Sequence, residues 1–109
     1  MNAPITTHIL DTSLGSPASG VKVVLLKGSE VIASGLTNED GRVADWDNSF
    51  QLVSTDYTLR FDVAPYFARN NVQSIYSDIE IKFKVGSTDE HYHVPLLLNP
   101  FGYSTYRGS

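Results

Sequence analysis

The sequence predicts an all-β protein: two packed antiparallel sheets of about four strands each, with at most one short helix. Two observations carry that reading. In "YTLRFDVA", Tyr57, Leu59, Phe61 and Val63 fall on one face and Thr58, Arg60 and Asp62 on the other. In "DIEIKFKV" the split is Ile79, Ile81, Phe83 and Val85 against Asp78, Glu80, Lys82 and Lys84. A strict period of two is the mark of a strand with one buried and one solvated face. The second observation is the rest of the chain, where short segments rich in Val, Ile, Thr, Tyr and Phe alternate with turn clusters and helical periodicity is nearly absent.

Taken in order, "ITTHILDT" (5–12) is the first strand and "LGSPASG" (14–20) a surface loop of Gly, Pro and Ser. "VKVVLLKG" (21–28) and "VIASGLT" (31–37) are strands joined by a hairpin loop at "GSE". "TNEDGR" (37–42) carries Asp-Gly, the strongest short turn signal in the chain. "PYFARNN" (65–71) opens a short helix with Pro65 in its first turn. After the alternating strands at 57–63 and 79–85, a last pair lies within 90–98 and 102–107. The run "VPLLLNPF" is apolar on both faces, which points to burial of its outer face against another chain.

A chain of 109 residues suffices for one core and is short for two, so 1–109 is expected to form a single domain. With 41% hydrophobic and 18% charged residues, neither disorder nor a membrane span is indicated. A formal charge of -4, with the eight basic residues scattered, argues against a nucleic-acid partner. The absence of cysteine removes disulfides, thiolate metal sites and a thiol nucleophile together. "MNAPITTHIL" lacks the basic and apolar regions of a signal peptide, so a cytoplasmic location is expected.

Three histidines, His8, His91 and His93, are the candidate chemistry, because only an imidazole titrates unperturbed between pH 5 and 8. His91 and His93 are two apart on a strand and share a face. A three-histidine zinc site with an open fourth position fits the spacing. So does a metal-free site in which two histidines from different strands face one pocket, one of them drawing a proton from water. Such a site wants a fixed cation for a developing oxyanion, and Arg42 and Arg107 are the candidates. A serine triad has no support, since the G-x-S-x-G elbow is absent. Trp46 and the tyrosines read as core or interface aromatics.

The terminal "YRGS", the preceding "HYHVPLL" and "PFGYST", the opening "ITTHILDTSLGSPASGV" and the "TNEDGR" turn together resemble the transthyretin-like family, over Ile5 to Ser109. The resemblance implies a transthyretin-like β-sandwich and a homotetramer with active sites at subunit interfaces. It implies hydrolysis of the small molecule 5-hydroxyisourate, in urate degradation, to 2-oxo-4-hydroxy-4-carboxy-5-ureidoimidazoline, with no cofactor and no metal. Carried over by position, it makes His8, Arg42 and His93 catalytic and Tyr106, Arg107, Gly108 and Ser109 substrate-binding. His91 stays outside that set, and one of His8 and His93 is the general base. The alternative is a transthyretin-type carrier of a small ligand with no chemistry.

Overall fold

Alternation along the strands decides the layers. The computed structural model describes residues 3–108, and among them eight strands and one helix follow one another. They are β1 (Ile5–Asp11), β2 (Ser16–Pro17), β3 (Lys22–Lys27), β4 (Glu30–Leu36), β5 (Thr55–Asp62), α1 (Ala64–Arg69), β6 (Ile79–Val85), β7 (Tyr92–Asn99) and β8 (Gly102–Thr105). Two four-stranded sheets result, ordered β2-β1-β7-β8 and β4-β3-β5-β6. Tyr57, Leu59 and Phe61 of β5 and Ile79 and Ile81 of β6 are buried, as their alternation requires. They join Val23 and Leu25 of β3 and meet Ile5, Ile9, Leu96 and Leu98 of the facing sheet in one core. Each such side chain contributes about 1.5–3 kcal/mol by leaving water.

The ladders are antiparallel with one exception, since β1 runs parallel to β7 from Ile5↔Tyr92 to Asp11↔Leu98. A parallel pair needs a long crossover, and here everything between β1 and β7, the whole second sheet included, supplies it. The loop expected at 14–20 also departs slightly, because Pro17 and Ser16 pair with Leu10 and Asp11. Such a place suits proline, as β2 is an edge strand. The hairpin at "GSE" is as expected: Lys27 pairs with Glu30, and Gly28 takes φ 61 in the first loop position. Helix α1 starts at Ala64 with Pro65 in its first turn, where the missing N–H costs nothing. No helix among the described residues is long and apolar enough to cross a membrane.

Candidate active-site cleft

Thr6 and His8 lie on the outer face of β1, alternating with buried Ile5, Thr7 and Ile9. The parallel register sets Thr6 beside His93 and His8 beside Pro95, so one outer surface carries both histidines. Neither strand could arrange this alone, because the partners lie 85 or more residues apart in the chain.

Arg42 arrives by a turn built for the purpose. Asn38 O accepts from Gly41 N (2.9 Å), and the Asn38 side-chain oxygen accepts from Asp40 N (2.9 Å) and Arg42 N (3.1 Å). Asparagine in this role closes the turn locally. Gly41 has φ 76, and a Cβ there would collide with the Ile9 carbonyl oxygen, so both conformation and space demand glycine. Ile9 N donates to Gly41 O (2.8 Å) and His8 bridges to Arg42, which fixes the turn onto β1. Buried Thr37 anchors its base, donating to Ala18 O (2.8 Å) and accepting from Val21 N (2.9 Å).

The tail returns to the same surface. The β7–β8 register, Leu96↔Thr105, continues unchanged to His93↔Gly108, where Gly108 N donates to His93 O (2.8 Å). The break between falls opposite Pro95, which has no N–H for the ladder, and Thr105 Oγ1 takes the Pro95 carbonyl instead (2.7 Å). Alternation then sends Tyr106 and Gly108 to the histidine face and Arg107 to the other. The side chain of Arg107 accordingly lies on the face away from the histidines. It donates to Glu90 (2.9 Å) and His91 O (3.2 Å), and its guanidinium lies 4.6 Å from the Tyr92 ring centroid. Ser109, the last expected substrate-binding residue, lies outside the described residues.

The product of these placements is an open cleft of about 630 Å³ lined by Thr6, His8, Arg42, His91, His93, Tyr106 and Gly108 among others. The cleft perturbs the titration of His93. Burial, followed by the positive charge of Arg42 and the neighbouring His91 and His8, holds its pKa below the ordinary histidine value, with hydrogen bonding to the Thr6 backbone opposing in part. Its Nδ1 lies 2.8 Å from Thr6 Oγ1, and the same hydroxyl oxygen lies 3.0 Å from His91 Nε2. The His91 and His93 rings stack at 6.5 Å. Sequence reasoning left His91 as a neighbour and did not single out Thr6. The signal for Thr6 was its position two residues before His8 on one strand face. Among the described residues, no group of three or more His, Cys, Asp or Glu is placed to hold a metal ion, so the three histidines share a surface without forming a ligand set.

A profile described as the HIUase/Transthyretin family matches residues 5–108. The 5-hydroxyisourate hydrolase of Halalkalibacterium halodurans is 44% identical, with both chains covered over their whole lengths. The structure of Klebsiella pneumoniae 5-hydroxyisourate hydrolase aligns with a TM-score of 0.86 at 39% identity, over 96% of this chain and 98% of that one. Sea bream transthyretin, in complex with thyroxine, aligns with a TM-score of 0.89 at 26% identity, over 97% of this chain and 95% of that one.

Proposed function

This chain belongs to the HIUase/Transthyretin family, and from that premise we infer that its cleft opens the ring of 5-hydroxyisourate by hydrolysis. The observation that carries the reading is the meeting of an imidazole whose pKa is held below the ordinary histidine value, a guanidinium and a docked tail in one cleft. The fold does not discriminate, since a thyroxine-binding transthyretin shares it. A lining of His8, Arg42 and His93 suits a small polar substrate better than an apolar ligand.

In the reaction we infer, His93 Nε2 takes a proton from water as the water oxygen attacks the ring carbonyl next to nitrogen. Charge growing on the carbonyl oxygen falls to Arg42, and a preorganised donor of that kind contributes about 10²–10³ in rate. As the carbon–nitrogen bond breaks, the proton that His93 took from water passes to the leaving nitrogen, with His8 orienting the reacting groups, and the new carboxylate and ureido group mark the product. General acid–base help at each end adds roughly 10²–10⁴. Tyr106 and Gly108 close one wall against the substrate, and a substrate-binding role for Arg107 and Ser109 is carried over from the family resemblance alone. His93 is assigned as the base because burial and Arg42 both favour its unprotonated form.

The same reading makes the chain one domain that works in the cytoplasm as a homotetramer, without cofactor, its clefts at subunit interfaces. Among the described residues, edge strands β6 and β8 leave their outer rims unpaired, and Phe101, Tyr103 and Tyr106 stand exposed around β8. Sheet edges of this kind invite pairing with a second copy.

The test is the ultraviolet decay of freshly generated 5-hydroxyisourate with and without protein. Alanine at His8, Arg42 or His93 is expected to lower turnover by about two orders of magnitude with the fold intact. Activity lost to a chelator and restored by zinc would replace this mechanism with a metal one.

A further inference from the structure

The bond pattern around Thr6 constrains more than its own position. Thr6 Oγ1 lies within hydrogen-bond distance of His93 Nδ1 (2.8 Å) and His91 Nε2 (3.0 Å). A hydroxyl carries one proton and two acceptor lone pairs. It can therefore donate to only one of the two ring nitrogens, and the other ring must donate to it. The protonation of one histidine thus sets the tautomer of the other through a single oxygen. Thr6 itself has little freedom, being in register beside His93 between buried Ile5 and Thr7, whose hydroxyl donates to Val94 O (2.7 Å).

We propose that Thr6 and His91 are positioning residues that hold His93 as its Nδ1–H tautomer and leave Nε2 bare as the nitrogen available to the cleft. His93 Nδ1–H donates to Thr6 Oγ1, and the Thr6 hydroxyl donates onward to His91 Nε2. His91 carries its own proton on Nδ1, where its exposed ring meets water. The reverse order, with Thr6 donating to His93, would place a proton on Nε2 and remove the base. When Nε2 accepts a proton from the attacking water, the resulting imidazolium makes its Nδ1–H a stronger donor, and Thr6, polarised by His91, stabilises that charge. The proton is not passed on to Thr6, and no bond changes at Thr6 or His91. The arrangement has the logic of the carboxylate that orients histidine in a serine-protease triad, where a wrong tautomer costs about 10⁴ in rate. A neutral hydroxyl orients more weakly, and a loss of about tenfold is expected here.

This proposal rests on His93 being the base, and the experiment separates the two ideas. Nitrogen-15 NMR of the imidazoles at pH 8, where an ordinary histidine is neutral, reads the tautomer of His93 directly. The expected result is Nδ1–H in the unmodified protein. In Thr6→Val and His91→Ala it should shift toward Nε2–H, with turnover lowered about tenfold, KM changed less than about twofold, and activity restored in Thr6→Ser. An Nε2–H tautomer in the unmodified protein overturns the proposal, as does an unchanged tautomer and turnover in His91→Ala. Should Thr6→Val fail to fold, Thr6→Ser and His91→Ala still decide. Undiminished activity in His93→Ala would instead remove the base assignment, whatever the tautomer.

Discussion

Gly108→Ala is the smallest change that strikes the base from outside its own strand. The backbone tolerates it, because Gly108 is not among the glycines at positive φ. The space does not. A Cβ at this position would sit 2.5 Å from His93 Cδ2, 3.3 Å from His93 Cγ and 3.4 Å from Pro95 Cγ. Carbon atoms rest at about 3.5–4.0 Å, so roughly 1 Å must be found. Either the imidazole turns, breaking its 2.8 Å contact with Thr6, or the tail lifts, breaking the 2.8 Å bond from Gly108 N to His93 O. In both cases a reacting group or a cleft wall moves by about 1 Å, a displacement that costs about 10²-fold in rate. That factor corresponds to about 2.7 kcal/mol of transition-state stabilisation. Stability should change by about 1 kcal/mol at most, since one terminal hydrogen bond is at risk and the core is untouched. The assay is kcat/KM against 5-hydroxyisourate beside a thermal melt of the same sample. Activity within threefold of the unmodified protein would show that the glycine is not required for space against His93, and would weaken the case that the tail shapes the site.

Three further outcomes are expected. The low pKa of His93 places the acid limb of the rate profile below the ordinary histidine value of about 6.5, so the rate should hold from pH 8 to 7 and fall only below that value; half-loss already at pH 7 would exclude His93 as the titrating base. Burial alone would raise the pKa of Asp11, but bonds from the Ser13 and Tyr66 side chains and the Leu14 and Ser13 N–H groups outweigh it and hold the pKa low. That stabilisation is present above the unfolded value of about 3.9 and lost as pH falls through the lower folded value. Tyr66→Phe, which removes the 2.7 Å bond to Asp11, should therefore cost about 1.5–3 kcal/mol at pH 6, measured by urea denaturation; a cost below 0.5 kcal/mol would remove the pair from the account of stability. Light scattering at micromolar concentration should report about four chains, and an active monomer would put the complete site within one chain.

The sequence by itself determined the layers, because period two is a local property: the faces of β5 and β6 follow from their own side chains whatever they pack against. It determined the Asp-Gly turn and the proline-led helix for the same reason. It also singled out His8, Arg42 and His93, through the resemblance carried by its motifs. The tertiary structure decided what depends on register between distant strands. The parallel pairing of β1 with β7 sets Thr6 against His93 and brings one hydroxyl between two imidazoles, which no spacing in the chain announces. It also set the hand of the tail. Read as a string, "YRGS" offers four equivalent residues, but once Gly108 is paired with His93 the alternation of the strand commits Tyr106 and Gly108 to the cleft and turns Arg107 toward Glu90 and Tyr92. Even the glycine of that motif owes its place to space and not to conformation, and only a neighbour 15 residues away in the chain, the His93 ring, could show it.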